Sequence, residues 1–177
     1  MPEHSAGYHR KRLILMRHAK AAYPPGVADH ERPLAERGHA EAPLAGRWLR
    51  EHGAVPDFIL CSSALRTRQT CAWVCHELDQ LAPTPKLEDD LYDAGMSRML
   101  ALINHVPEAV TSLLVITHLP TVQELTMHLA SRDSDPQAYA DAAGGFPTSA
   151  LAIFGLDSSW AELDGQDAVL QDFVVPR

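Results

Sequence analysis

The chain is poor in cysteine, carries no surplus of basic residues and contains no long apolar run. Its three cysteines, Cys61, Cys71 and Cys75, do not form the disulfide framework of a small secreted domain. Cys71 and Cys75 fall one helical turn apart, which superficially resembles a metal pair. They read better as buried thiols, acting as small hydrophobes in a reducing cytosol. Acidic residues outnumber basic ones by 23 to 15, a formal charge of −8. That balance argues against nucleic acid and anionic membrane as partners, since both want a basic face. It also means that a site for an anionic substrate must gather its own positive charge locally. The basic run His9-Arg10-Lys11-Arg12 is followed by an apolar stretch of residues 13–16 only. A secretory core needs about 7–15 such residues and a membrane span about 20. A cytoplasmic address is expected, and oligomeric state is left open.

What is present suits one globular domain. The 177 residues are 46% hydrophobic and 21% charged, enough to bury a sizeable core without disulfides or metal. Residues 1–10 lack periodicity and read as a flexible leader, with the domain spanning 11–177. Residues 12–16 (RLILM) form a short apolar run, as expected of a buried strand in a parallel sheet. A polar, proline-containing loop follows, roughly residues 18–36. Over residues 37–52, Ala40, Leu44, Ala45, Trp48 and Leu49 keep a helical stripe, and Gly53 is a natural stop. Residues 57–61 (DFILC) predict a second buried strand. The helix after it carries Ala64, Thr67, Cys71, Val74, Leu78 and Leu81 at helical spacing.

A short strand is expected near Lys86-Leu87, then a helix holding Met96, Met99, Leu100 and Ile103. Residues 113–117 (LLVIT) predict a third buried strand, and the helix after it turns Val122, Leu125 and Leu129 inward. Residues 131–147 suggest a short helix and a surface loop. Residues 149–154 and 169–175 suggest one or two edge strands. Strands alternating with helices predict an α/β fold with a mainly parallel sheet and helices on both faces.

Each buried strand ends in residues suited to an anion: Arg17-His18 after the first, Ser62-Ser63 and Arg66 after the second, Thr117-His118 after the third. Open α/β sheets bind ligands beyond the carboxyl ends of their strands. Three separate segments therefore deliver two arginines and two histidines to one crevice. With Ser63 as N-cap, Arg66 falls in the first helical turn, where the dipole disfavours cations by up to about 1 kcal/mol. A cation there makes sense beside an anion held by the same helix N-terminus. A nucleophilic imidazole at His18 needs one bare nitrogen and a hydrogen bond fixing the other, which a backbone carbonyl of the following loop can accept. His4, His9, His39, His52 and His76 fall on the leader or on solvated helix faces.

Residues 13–21 (LILMRHAKA) resemble the Arg-His-Gly motif of the histidine phosphatase superfamily, with Ala19 replacing glycine as in its SixA-like branch. Residues 29–34 (DHERPL), with Arg37-Gly38 after them, resemble that branch's D-x-x-R-P-L-x-x-x-G signature. Residues 61–70 (CSSALRTRQT) resemble its S-x-x-x-R-x-x-Q-T block, and residues 113–125 (LLVITHLPTVQEL) its second-histidine block. Matches run from about residue 12 to residue 175. The resemblance implies a compact, phosphoglycerate mutase-like three-layer domain. It implies that His18 takes a phosphoryl group, that Arg17, Arg66 and His118 surround its oxygens, and that no metal or cofactor is needed. Arg32 and Lys20 are candidates for substrate contact from the same loop.

Larger superfamily members bring a Glu or Asp acid to protonate an alkoxide leaving group. The corresponding region here, near Leu91-Tyr92-Asp93-Ala94, offers no clear equivalent. Asp93 is the best candidate, although Asp89, Asp90 and Asp93 read as a solvated acidic rim. An acid-poor site favours a phosphoramidate, because imidazole, with a conjugate-acid pKa of about 6.5, leaves more readily than an alcohol. Protein phosphohistidine is thus the expected substrate, and a small phosphomonoester the alternative. Two further readings are a metal hydrolase using His18, Asp29, His30 and His118, which lacks zinc-type spacing, and a non-catalytic phosphate-binding module.

Overall fold

Alternation within the apolar strands decides the layering. The computed structural model describes residues 9–177; the expected leader, but for His9 and Arg10, lies outside the described residues. β1 (Lys11–Arg17), β2 (Phe58–Ser62), β3 (Lys86–Glu88) and β4 (Ser112–Thr117) are parallel. β5 (Leu151–Leu156) pairs antiparallel with β1, and β6 (Val169–Val174) pairs antiparallel with β5. The sheet order is β3-β2-β4-β1-β5-β6. Successive side chains point to opposite faces of a strand. Leu13, Leu15, Leu113 and Val115 accordingly enter one core with α3 (Met96–Asn104), α4 (Thr121–Leu129) and α5 (Pro136–Gly144). Ile14, Met16, Leu114 and Ile116 enter the other with α1 (Glu36–Glu51) and α2 (Leu65–Leu78). This is a three-layer α/β domain with a mostly parallel sheet, and both faces of β1 and β4 are dry.

Four local expectations need correction. Of the one or two edge strands expected, β6 is one and β5 is not; β5 lies between β1 and β6, pairing Leu151 with Met16. Leu81 leaves the α2 stripe and is 60% exposed, because α2 ends at Leu78 and the chain turns at Asp79. The N-cap of α2 is Ala64, which has no side-chain cap; the Ser63 hydroxyl meets His30 Nε2 instead. The buried face of α1 is Gly38, Glu41, Ala42, Ala45, Gly46 and Leu49, rotated from the stripe that the larger apolar residues suggest. Residues 131–147 do contain a helix, α5, capped by Asp135 accepting from Ala138 N.

Small residues explain the rotation of α1. A Cβ at Gly38 would collide with Lys20 O, and one at Gly46 would lie 2.9 Å from Val74 Cα. The helix therefore presses against the loop after β1 at one end and against α2 further along. Close approach matters for the site, because the Lys20 carbonyl also accepts the Ala35 N–H. Gly38→Ala is expected to destabilise the protein by about 1–3 kcal/mol through overpacking. Urea denaturation of the purified variant measures it, and an unchanged midpoint would mean that the loop gives way freely.

Candidate active site

The carboxyl ends of β1, β2 and β4 place their following residues side by side. His18 N donates to Thr117 O and Ala19 N to Thr70 Oγ1, tying the end of β1 to β4 and to α2. Ser149, at a left-handed φ of 63°, aims its N–H at both Arg17 O and His18 O. Such a conformation costs a serine on the order of 1 kcal/mol or more, and it is retained beside the site. The His18 ring is buried, and its Nδ1 lies 2.7 Å from Ala19 O. A carbonyl can only accept, so Nδ1 carries the proton and Nε2 is left bare.

Ala19 is fully buried in a small cluster with Leu34 and Ala42, backed by Trp73. That cluster gives its methyl a place and accounts physically for alanine where the motif has glycine. The His118 ring centroid is 5.3 Å from that of His18. Ser62 Oγ lies 2.7 Å from His118 Nε2 and receives the Ala64 N–H at 3.5 Å. A hydroxyl has one proton and two lone pairs, so Ser62 Oγ can accept from Ala64 and still either donate to or accept from His118 Nε2. Among the described residues, His118 Nδ1 and Arg17 Nε have no hydrogen-bond partner.

Burial keeps both rings neutral. It pushes His18 down to about 3, with further lowering by His118, Arg66 and Arg17, against the raising effect of the Ala19 hydrogen bond. It pushes His118 down to about 4, helped by Arg66 and opposed by Asp29. Positive charge is left to the guanidiniums. Arg17 donates from Nη1 to Phe146 O at 2.9 Å. Arg66, 7% exposed, is turned toward Asp29, reaching its backbone O at 2.7 Å and its Oδ2 at 3.2 Å. The anion that a first-turn arginine calls for is thus partly supplied from within the chain.

Asp29 was expected at the site only as a ligand in the metal reading, yet it joins three of the groups present. Tyr92 Oη donates to its Oδ2 at 2.6 Å and Arg32 Nη1 to its Oδ1 at 2.9 Å. These two bonds, with Arg66, hold the carboxyl far below the usual carboxylate range. Asp29, Arg66, Tyr92, Asp93 and His118 line a cavity of about 140 Å³. Arg32 also donates to Ala22 O and stacks 3.6 Å from the Tyr23 ring centroid, bracing the loop. Lys20 Nζ sits 6.0 Å from the same ring centroid. Asp93 is exposed and lines the cavity, whereas Asp89 and Asp90 are exposed but do not line it. Glu41 was missed as well: it is 3% exposed and bonded to Arg37 Nε and Thr148 Oγ1. The one available signal was a glutamate on the small-residue face of α1. The groups of the metal reading do not converge, since no three His, Cys, Asp or Glu side chains among the described residues form a metal-holding group.

A crevice at a switch point of a parallel sheet, lined by two guanidiniums and two neutral imidazoles, is built to handle a phosphoryl-like oxyanion. A model of the histidine phosphatase superfamily (branch 1) matches residues 13–96. An uncharacterised protein of Mycobacterium tuberculosis is 44% identical over 163 residues, covering 92% of this chain and 100% of that protein. Phosphohistidine phosphatase SixA of Escherichia coli K12 is 33% identical over 151 residues, 83% of this chain and 86% of its own. A solved structure of SixA complexed with tungstate aligns at a TM-score of 0.74 and 27% identity, covering 93% and 97% of the two chains. The chain belongs to the histidine phosphatase superfamily, on its SixA-like side, and is a phosphatase.

The depressed imidazoles set a direction for acid stability. Unfolded histidines bind a proton near pH 6.5, whereas His18 and His118 in the fold resist it down to about 3 and about 4. Between those values the unfolded chain holds more protons, so stability is full above pH 6.5 and falls as pH drops. Each ring costs up to about 1.4 kcal/mol per pH unit in that window. Urea midpoints from pH 7 to pH 4 should fall accordingly, and His18→Asn should flatten the decline.

Proposed function

We propose that the protein hydrolyses protein phosphohistidine through a covalent phosphohistidine formed on His18. The observation that carries this reading is a buried neutral imidazole with Nδ1 held by Ala19 O, flanked by Arg17, Arg66 and His118. His18 Nε2 attacks phosphorus in line with the leaving atom. Arg17 and Arg66 bind the equatorial oxygens, each charge-assisted hydrogen bond contributing about 1.5–3 kcal/mol. His118 adds a neutral imidazole beside them. Catalysis on this route is positioning and charge stabilisation. Water then attacks phospho-His18, the P–N bond breaks, and the ring returns to its neutral form. Lys20 and Arg32 border the loop from which substrate is approached, and Arg32 acts there chiefly by fixing Asp29. The tungstate complex of SixA, a protein similar to this one, is consistent with an oxyanion site of this kind.

The substrate class follows from the carboxylates. Asp29 is kept ionised by three donors and has no proton to give an alkoxide. Asp93 lines the same cavity and favours the second reading, a phosphatase of small phosphomonoesters with Asp93 as acid.

His18→Ala should abolish turnover of a phosphohistidine protein, and acid-sparing quench of the wild type should trap phosphate on His18. Full activity in His18→Ala would remove the mechanism. The choice of substrate turns on Asp93→Asn, assayed on phosphohistidine and on phosphomonoesters of graded leaving-group basicity. The acid-free reading expects little change on any of them. Loss of on the order of a hundredfold on alkyl esters, with little on activated aryl esters, would identify Asp93 as a general acid and select the second reading.

A further inference from the structure

We propose that Asp29 recognises the leaving imidazole of the substrate, accepting a hydrogen bond from the ring nitrogen that does not carry phosphorus. This rests on the phosphohistidine reading and specifies how that leaving group is met. A phosphorylated imidazole can depart in two forms. With its second nitrogen bare, it would leave as imidazolate, a strong base. With that nitrogen protonated, the P–N bond breaks, its electron pair returns to the ring, and neutral imidazole departs with the proton still in place. No proton moves in this step, so a general acid is superfluous. What helps is an acceptor that holds the second nitrogen in its protonated form.

The chain already contains this device once. His18 Nδ1 meets Ala19 O at 2.7 Å, so a phosphoryl group on Nε2 sits on a ring whose other nitrogen is protonated and anchored. Asp29 fits the corresponding role for the incoming ring. Its side chain is 53% exposed and lines the cavity shared with Arg66, Tyr92 and His118. A carboxylate has about four acceptor positions, and Arg32, Arg66 and Tyr92 occupy three. Those donors fix the group in place and leave one position for substrate.

The Tyr92 ring stands 5.8 Å from that of His118 and 4.7 Å from that of His30, an aromatic wall for a flat ring beside the same carboxylate. Asp93 lines the cavity too, but its carboxylate makes no hydrogen bond among the described residues that would aim it. Alkyl and aryl phosphates present no N–H at this place, so the contact discriminates by leaving group.

The test compares wild type and Asp29→Asn on two substrates drawn from the same samples, a phosphohistidine-bearing protein and p-nitrophenyl phosphate. Because Arg66 loses an anchor, kcat/KM should fall on both. On phosphohistidine it should fall about tenfold or more further, the weight of one hydrogen bond between charged groups. The ratio of the two rates does not depend on how much of the variant is folded. An unchanged ratio, with wild type active on phosphohistidine, would confine Asp29 to positioning Arg66 and overturn this proposal alone. Wild type that cleaves p-nitrophenyl phosphate but not phosphohistidine would overturn both this and the substrate reading.

Discussion

The bond from His18 Nδ1 to Ala19 O decides which nitrogen of the ring is free, and the surrounding architecture serves to hold it. Its geometry depends on the path of the chain just beyond β1. That path is pinned by His18 N on Thr117 O, Ala19 N on Thr70 Oγ1, and Ser149 N on the carbonyls of Arg17 and His18. Each anchor comes from a different element: β4, α2 and the turn before β5. The block from the last residue of β2 into α2 then reads as a set of fasteners. Thr70 holds Ala19, Gln69 Oε1 accepts the Leu34 N–H at 2.7 Å, and Ser62 holds His118. Arg66 in that block instead reaches Asp29 across the crevice.

The layers and the principal site residues were legible in the sequence because they follow short-range rules. Runs such as LILM and LLVI are apolar at every position, which suits strands buried on both faces, and ligands collect where such strands end. The parts that escaped depend on contacts between distant segments. The face of α1 was obscured because Gly38 and Gly46 are chosen for closeness, and a hydrophobic stripe does not register the absence of a side chain. Glu41 was hidden for the same reason. Asp29 appeared in the quoted signature, but nothing local shows that its partners are 37 and 63 residues away, at Arg66 and Tyr92. The Ser63 cap failed because a nearby His30 offered its hydroxyl a different partner.

Charge placement explains how a chain of net −8 receives an anion. Guanidiniums keep their proton in nearly any protein environment, whereas a buried imidazole gives its proton up. In this crevice the two histidines are neutral well below physiological pH, so the positive charge rests on Arg17 and Arg66 alone. A protonated His18 would draw phosphate more strongly but could not attack it. On the proposed reading, burial gives up some attraction in exchange for a neutral, unprotonated His18 Nε2, and the two arginines supply the attraction.

Asp29 completes this division of labour, since an anion beside a phosphate site needs a reason to be there. On Coulombic grounds alone its carboxylate weakens phosphoryl binding, because it stands 3.2 Å from Arg66 Nη2 and offsets part of that charge. The opposing gain is geometric. Two of the five N–H groups of Arg66 are engaged by Asp29, leaving three in a fixed plane, and a pre-aimed fork loses less entropy when it closes on oxygens. Tyr92 and Arg32 hold Asp29 in turn, which ties the loop after β1 to the segment after β3. A neutral side chain would brace the loop less firmly, because two of the three donors on Asp29 are guanidiniums. On the proposed reading a carboxylate also faces the positive charge that a doubly substituted ring carries until the P–N bond breaks, and that gain offsets its repulsive cost.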